Sequence, residues 1–396
     1  MSMVITFVCD VLGKENNGTT IATMNVIRSL RKKGHEVRIV CPDKDKEGEP
    51  GYYIVPSMRF GPFNGYVRKN GVNPASGRDL SKVREALTGA DLVHFNFCGM
   101  LSPKVVDLAR EMGIPCTASL HTQAENFTNH FGLENSPVAN KAVYTWLYRS
   151  LFSKVDAIHY PSQFIHDLFE RTNHFHSTSY VISNGIQKKF RRLRVNRPES
   201  LKGKFVIVYT ARYSTEKDHK VLLKAMKYSR HRDDIVLILP GAGPLERKLR
   251  REARKWCANE PIFGFHPHEE MVKILNIADL YCHVGTVDIE PVSCLEAISV
   301  GICPVLTDSP RSAVGGFATG KMNLYNHRSA KDLADKIDYW FEHPMEREEC
   351  AKTYSGLASH FDFQTSMDKM ERMFAQTIKD YRVKQAESLP LLEKKA

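Results

Sequence analysis

Residues Thr286 to Val305 read TVDIEPVSCLEAISVGICPV, and this stretch decides the fold. Cys294 to Val300 have good helix propensity, while Asp288 to Pro291 read as a loop leading into the helix N-terminus, with the proline at a first-turn position. Gly301 ends the predicted helix, and the apolar residues after it begin a strand. A loop, a helix and a strand in this order predict one αβ step of a doubly wound parallel sheet.

The same stretch places three carboxylates near the start of the predicted helix. Asp288 and Glu296 are separated by seven residues, and Glu290 lies between them. Acids held there lie close to backbone N–H donors and to the positive end of the helix dipole. Such a site suits a polyhydroxylated, phosphorylated ligand. Taken singly, each acid is equally consistent with a simple helix cap.

The composition is that of a globular chain with two domains of ordinary size. Of the 396 residues, 42% are hydrophobic and 26% are charged. The longest apolar runs are too short to span a membrane, and the N-terminal MSMVITFVCDVLG predicts a first strand rather than a signal peptide. The nine cysteines have no paired close spacing, so we interpret them as reduced core thiols.

The net charge of +11 calls for an anionic partner. Nucleic acid, an anionic lipid surface and a nucleotide sugar all qualify. The most basic segment, KKFRRLRVNRPESLKGK, carries eight cations and no strong apolar period. Because no nucleic-acid-binding module accompanies it, we interpret this segment as a solvated linker and expect no nucleic acid partner.

Candidate binding residues in the first half of the chain follow predicted strands, where ligands bind in open α/β sheets. Gly18 and Thr19 open the helix after the first strand. The N–H groups of a helix start can hold phosphate, although an ordinary βα turn explains this pair as well. His121 follows the predicted strand 115–120, which makes it either a substrate contact or a structural histidine.

The second half repeats this pattern. Arg212 and Lys217 follow a strand that begins at Phe205, where two cations would compensate the charge of a diphosphate leaving group. As isolated residues they would be ordinary surface charges. Gly241 and Gly243 form a glycine loop between the next strand and a strongly basic helix. By itself, this loop is a common turn.

Aromatic residues are concentrated in two further segments. MRFGPFNGYVRKNG, residues 58–71, combines aromatic and basic side chains, and ANKAVYTWLYRSLFSK, residues 139–154, has aromatics around much of a helical pattern. Both suit a membrane interface. The alternatives are a surface loop for the first segment and core packing for the second.

These motifs together resemble the family 4 retaining glycosyltransferases of the GT-B fold. The resemblance rests on GHEV, PSQF, SNGI, GAGPL and the stretch from Thr286, in this order along nearly the whole chain. Asp288 stands where that family usually has Glu, and Glu290 and Pro291 replace its Phe-Gly. The form VDIEPVSCLEA is most similar to bacterial enzymes that glycosylate diacylglycerol or glucosyl-diacylglycerol.

The resemblance implies two doubly wound Rossmann-like domains that face a cleft. Residues 1–186 would form the acceptor-side domain and residues 205–360 the nucleotide-sugar domain, joined by the basic linker 187–204. Residues 361–396 would form a C-terminal helix that crosses back to the first domain, followed by a tail.

The resemblance also implies a role for each candidate residue. His121 would contact the sugar near the anomeric carbon, and Asp288 would orient the sugar hydroxyls. The family's phosphate clamp would be formed by Arg212 and Lys217. The residues assigned to binding the nucleotide-sugar donor are Gly18, Thr19, Gly241, Gly243, Glu290, Glu296 on the ribose, and Phe265 and His266 beside the nucleobase.

The implied reaction transfers a hexose, glucose or galactose, from a UDP-sugar to a membrane glycolipid such as diacylglycerol or glucosyl-diacylglycerol. We expect retention of configuration and no metal or other cofactor, because protein cations replace a metal. We also expect a cytoplasmic protein, bound peripherally to the anionic membrane face. The alternatives are a soluble acceptor, a nucleotide-sugar epimerase of the same fold, and a non-catalytic binder of anionic lipid.

Overall fold

The structure is a computed structural model that describes residues 2–12, 18–58 and 74–393, without the side chains of residues 130, 268 and 388–393. The chain divides into two units, one of Met1–Ser183 with Ser366–Ala396 and one of Asn184–Thr365. Most of the aromatic and basic stretch 58–71 lies outside the described residues.

The first unit is built on a parallel sheet with helices between its strands. Its strands are Val4–Cys9 (β1), Glu36–Cys41 (β2), Tyr52–Ile54 (β3), Leu92–Phe97 (β4), Cys116–Ser119 (β5), Ala157–Tyr160 (β6) and Ser179–Val181 (β7). Its helices before β7 are Gly18–Lys32 (α1), Ser81–Leu87 (α2), Ser102–Glu111 (α3), Ala124–Thr128 (α4), Pro137–Ser150 (α5) and Gln163–Asn173 (α6). The strand order β3-β2-β1-β4-β5-β6-β7 reverses direction between β1 and β4.

The second unit has the same architecture with a smaller sheet. Its strands are Phe205–Val208 (β8), Ile235–Pro240 (β9), Ile262–Gly264 (β10), Leu280–His283 (β11), Pro304–Thr307 (β12) and Leu324–Tyr325 (β13). Its helices are His219–Ala225 (α7), Glu246–Trp256 (α8), His268–Asn276 (α9), Val292–Ser299 (α10), Ala330–Glu342 (α11) and Pro344–Ala358 (α12). The order β10-β9-β8-β11-β12-β13 puts the switch point between β8 and β11. The predicted doubly wound sheets are confirmed.

The helix predicted from Cys294 to Val300 is α10, which begins earlier, at Val292, and ends at Ser299. Pro291 occupies its N-cap position rather than a position inside the first turn. Gly301 follows the helix with φ +82°, a left-handed conformation that favours glycine. The chain then enters β12, whose residues are all buried.

The last helix, Phe363–Glu393 (α13), packs its middle on the first unit. Met373 and Phe374 are buried in that core, and the Phe374 ring lies 6.1 Å from the ring of Phe7 on β1. Polar contacts fix the same helix, because Lys33 Nζ lies 2.5 Å from a carboxylate oxygen of Glu371. Among the described helices, none has the length and apolar character that crossing a membrane requires.

The basic segment 188–204 belongs to the second unit. Phe190 and Leu201 are buried in its core. The guanidinium of Arg197 lies 3.0 Å from the carboxylate of Asp279. These contacts attach the segment to the unit, while Lys188 and most of its other cations stay exposed.

Candidate functional site

Loops of the second unit meet at the carboxyl edge of its sheet, at the switch point. The loop after β8 contains Arg212 and Lys217, the loop after β9 contains Gly241 and Gly243, and the loop after β11 contains Asp288. Because β9, β8 and β11 are neighbours in the sheet, these loops are neighbours as well. In open α/β sheets this edge is where ligands bind, so it is the candidate site.

Asp288 is held by two partners. Its Oδ1 forms an ion pair with Nζ of Lys217, and its Oδ2 lies 2.9 Å from Nε2 of His283. Since a carboxylate only accepts hydrogen bonds, Nε2 of His283 carries a proton. Gly285 makes room for this arrangement, because a Cβ there would lie 2.7 Å from Oδ2 of Asp288. The contacts therefore fix the orientation of the carboxylate.

The ion pair also sets the charge of Asp288. The side chains of Lys217 and Asp288 are only 21% and 12% exposed, so both are largely shielded from water. Burial by itself would raise the pKa of Asp288, but the Lys217 charge and His283 outweigh it and lower the pKa to about 2. Asp288 is thus ionised at neutral pH.

This shift predicts a pH-dependent stability. Because the pKa of Asp288 falls from 3.8 to about 2 on folding, its ionised form stabilises the fold above about pH 4. That contribution is lost as the pH falls towards 2. We expect Asp288→Asn to lower the free energy of unfolding on the order of 2 kcal/mol at pH 7, with a smaller difference from wild type near pH 3.

Thermal unfolding of both proteins across this pH range measures the difference. Asp335→Asn, at an exposed position on α11, is the control and should follow wild type at every pH. A wild-type to Asp288→Asn difference that stays constant from pH 7 to pH 3 would contradict the ion pair.

Backbone hydrogen bonds hold Lys217 against the loop after β11. The Tyr209 hydroxyl donates to the carbonyl oxygen of Lys217 at 2.8 Å. The backbone N and the Oγ1 of Thr286 both donate to the carbonyl oxygen of Glu216, at 2.8 and 3.1 Å. The position of the Lys217 side chain therefore follows from the fold.

The glycine loop lies directly on the chain around Arg212. A Cβ on Gly241 would lie 2.0 Å from the carbonyl oxygen of Ala211, and a Cβ on Gly243 would lie 2.6 Å from that of Tyr213. The two segments also exchange backbone hydrogen bonds, including Tyr213 N to the carbonyl of Ala242 at 3.0 Å. The structure thus brings both predicted glycines to Arg212, whose side chain is exposed.

The two glutamates of this region have different surroundings. Glu290 accepts from the backbone N and the side-chain Nδ2 of Asn184, at 2.9 and 2.6 Å through Oε2. Asn184 belongs to the SNGI motif, so this contact joins two of the motifs that the sequence analysis singled out. Glu296 lies on α10 and is partly buried.

The predicted nucleobase neighbours lie just after β10. The Phe265 side chain is 73% exposed, which leaves its ring face available for stacking. His266 is partly exposed, and its Nδ1 lies 3.1 Å from a carboxylate oxygen of Glu270. Across the described residues, no group of three or more His, Cys, Asp or Glu side chains is arranged to hold a metal ion.

In the first unit, His121 follows β5 and is partly buried. Its ring lies edge-on to His159, with centroids 5.5 Å apart. Burial, followed by the neighbouring His159, lowers the pKa of His121 to about 3, so its ring is neutral at pH 7. His159 is itself held in place, since Ser119 Oγ lies 2.8 Å from its Nδ1 and 3.0 Å from Nε2 of His94.

Gly18 and Thr19 are the first residues of α1. Gly18 is exposed, and open space surrounds the position of its missing Cβ. The Oγ1 of Thr20 donates to the carbonyl oxygen of Leu12 at 2.6 Å and so ties the helix start to the loop after β1. Residues 13–17, which complete this loop, lie outside the described residues.

Sequence reasoning missed the neighbours of the Lys217–Asp288 pair. His283 is the last residue of β11, and Tyr281, two residues earlier, places its hydroxyl 3.3 Å from Nδ1 of His283. His219 is buried, and in the described part of the chain neither of its ring nitrogens has a hydrogen-bond partner. The sequence did offer a signal for both histidines. His219 lies two residues after Lys217 at the start of a helix, and His283 lies five residues before Asp288 at the end of an apolar strand.

Each half of the chain matches the profile of a known protein family. A family profile described as Glycosyltransferase Family 4 matches residues 16–190. A second profile, described as Glycosyl transferases group 1, matches residues 192–354. The second match covers the carboxyl-edge loops with Lys217 and Asp288.

The individual proteins that resemble this chain have low sequence identity to it. A GDP-mannose-dependent alpha-mannosyltransferase of Mycolicibacterium smegmatis is 23% identical over 77% of this chain and 80% of its own length. The alpha-monoglucosyldiacylglycerol synthase of Streptococcus pneumoniae is 24% identical over 74% of this chain and 68% of its own length. The structure of a sucrose-phosphate synthase from Thermosynechococcus elongatus superposes with a TM-score of 0.74 over 96% of this chain and 100% of that protein, at 15% identity.

Proposed function

Because this chain belongs to the GT-B glycosyltransferases that join a Family 4 domain to a group 1 domain, we propose that it transfers a hexose from a UDP-sugar to a membrane lipid. The hexose is glucose or galactose, its configuration is retained, and the acceptor is diacylglycerol or glucosyl-diacylglycerol. The observation that carries the proposal is the Lys217–Asp288 ion pair at the switch point of the second sheet.

The reaction breaks the bond between the anomeric carbon and the diphosphate oxygen and forms a bond from that carbon to the acceptor oxygen. The proton of the acceptor hydroxyl passes to the departing diphosphate. The departing nucleoside diphosphate takes the electron pair, so negative charge grows on its oxygens. In our proposal, Lys217, held by its ion pair with Asp288, stabilises that charge together with the exposed guanidinium of Arg212. Fixed charges of this kind act without reorganising as the transition state forms.

Asp288 would orient the donor sugar while it stays paired with Lys217. A carboxylate offers about four acceptor positions, and Lys217 and His283 use two of them. The remaining positions can accept hydrogen bonds from sugar hydroxyls. Glu296 on α10 would accept hydrogen bonds from the ribose, and the exposed ring of Phe265 would lie against the nucleobase. His121, Gly18 and Thr19 remain predicted contacts, each described within the first unit.

The lipid acceptor is supported by two observations. The Streptococcus pneumoniae relative is named as a monoglucosyldiacylglycerol synthase. The net charge of +11 favours an anionic surface, such as the cytoplasmic face of a membrane, where the protein would bind peripherally. The Mycolicibacterium smegmatis relative is named as GDP-mannose-dependent, so GDP-mannose is the competing donor.

The test is nucleoside diphosphate release from UDP-glucose, UDP-galactose and GDP-mannose. Each donor is offered with phosphatidylglycerol-containing vesicles, with and without diacylglycerol, and in the presence or absence of EDTA. We expect release from one UDP-hexose that needs the lipid acceptor, is unaffected by EDTA and is lost in Glu296→Ala. NMR of the product should show the anomeric configuration of the donor.

The other outcomes each identify an alternative. If only GDP-mannose is turned over, the donor is GDP-mannose and not a UDP-hexose. Release without lipid would indicate a soluble acceptor, and conversion of the sugar without transfer would indicate an epimerase. Loss of activity with EDTA would overturn the metal-free mechanism. Vesicle binding without turnover of any donor would indicate a non-catalytic protein that binds anionic lipid.

A further inference from the structure

We propose that the exposed face of helix α8 is an electrostatic docking surface for the anionic headgroups of a bilayer. Its exposed side chains include the cations Arg247, Lys248, Arg251 and Arg254. This inference rests on the proposed lipid acceptor and names the surface of the second unit that would contact the membrane.

Helical geometry places these cations together. Positions 247, 248, 251 and 254 follow the three- and four-residue spacing of one helix face. The opposite face is buried, with Leu249 and Ala253 in the core of the second unit. The orientation of the helix is therefore fixed by its packing, and its four cations lie in one row on the solvent side.

Within the described residues, the two acids of this helix lie next to other cations. Glu246 pairs with Arg250, at 2.9 Å, and Glu252 lies 3.5 Å from Lys255. In the part of the chain that the structure describes, none of the cations at 247, 248, 251 and 254 forms an ion pair. Like charges at three- and four-residue spacing destabilise a helix, so an anionic surface would relieve a repulsion that the fold now carries.

The chemistry of this face favours lipid headgroups over nucleic acid. Stacking on aromatic rings supports single-strand binding, but Trp256 is partly buried, and the Phe263 ring is covered by Arg250 at 4.8 Å from its centroid. Among the described residues of α8, none is a large exposed apolar side chain of the kind that anchors protein interfaces. A row of cations alone is sufficient for adsorption to an anionic bilayer.

The experiment measures binding to phosphatidylcholine vesicles with and without phosphatidylglycerol. The test variant carries Arg247→Gln, Lys248→Gln, Arg251→Gln and Arg254→Gln. We expect its affinity for the anionic vesicles to fall about a hundredfold at low salt, while wild-type binding weakens as salt is added.

A matched variant removes the same number of charges from the basic segment of the same unit. It carries Lys188→Gln, Lys189→Gln, Arg192→Gln and Arg194→Gln, all at exposed positions. We expect it to lose much less affinity than the α8 variant. Equal losses would mean that net charge alone drives adsorption, which would overturn the assignment to α8.

Two further measurements separate this inference from the proposed function. Donor turnover with detergent-dispersed acceptor should be the same in wild type and in the α8 variant. If wild type turns over no donor there, the proposed function fails, while the vesicle data still decide the docking surface. If the α8 variant binds vesicles normally but loses affinity for single-stranded RNA, the surface binds nucleic acid and the proposal is wrong.

Discussion

Replacing Lys217 by alanine is expected to lower donor turnover about a thousandfold, the effect of removing one preorganised charged donor from a transition state. Lys217 forms an ion pair with Asp288, and its side chain is only 21% exposed. It therefore acts in surroundings where a charge is weakly screened. The loss should appear in kcat with saturating substrates, because the negative charge on the diphosphate grows as the bond breaks.

The control for this substitution is Lys220→Ala. Lys220 lies three residues further along the chain on α7, carries the same charge and is exposed. Its replacement should leave kcat within about twofold of wild type. Thermal unfolding of both variants shows whether Lys217→Ala loses activity while still folded. If folded Lys217→Ala keeps more than about a tenth of wild-type kcat, the leaving-group role is wrong.

The substitution should also change the titration of Asp288. With Lys217 removed, burial still disfavours the charged carboxylate, and of its two described partners His283 alone is left to oppose it. The pKa of Asp288 should therefore rise. The stability that the ionised form contributes would then be lost at a higher pH than in wild type. Unfolding of Lys217→Ala between pH 7 and pH 3 measures this shift.

The second large effect is expected from Gly241→Ala. The added Cβ would lie 2.0 Å from the carbonyl oxygen of Ala211 and 3.1 Å from the Tyr213 ring. The nearer atom belongs to the backbone, so the glycine loop or the chain around Arg212 must move. We expect the free energy of unfolding to fall by about 3 kcal/mol and donor turnover to fall with it.

Gly356→Ala is the matched control. Gly356 lies in helix α12, is exposed, and has open space at the position of a Cβ. The same change should leave stability unaltered or raise it by up to about 1 kcal/mol, since alanine favours the helix. Chemical denaturation of the two variants gives the comparison. A Gly241→Ala protein as stable as Gly356→Ala would show that the loop does not pack on Ala211 as described.

Much of the fold was predictable because it is encoded locally. Short apolar runs alternate with helical patterns, and that alternation predicts parallel sheets with helices on both faces. Gly301 marks the end of α10 because a left-handed residue is needed there. The helix α10 begins two residues before the predicted start at Cys294, because Pro291 is its N-cap. Helix ends depend on capping contacts that propensity does not specify.

The candidate site was predictable only in part. Arg212 and Lys217 were identified because they follow a strand, and Asp288 because it leads into a helix N-terminus. The structure places all three after parallel strands, whose carboxyl ends share one edge of the sheet. That rule predicts which residues lie near one another, but it does not predict which of them form hydrogen bonds or ion pairs. The pairing of Glu290 with Asn184, which are 106 residues apart, came from the structure. His283 was missed because a histidine at the end of a buried strand looks like a core residue.

The amino-acid sequence by itself determined the two parallel-sheet units, the order of their elements and the strand ends that carry charged residues. These properties depend on side-chain periodicity, turn residues and helix propensity, which act over a few neighbouring positions. The tertiary structure alone decided that Lys217 meets Asp288 across 71 residues and that His283 holds its other oxygen. Such contacts depend on strand order, and strand order is set by packing the whole sheet.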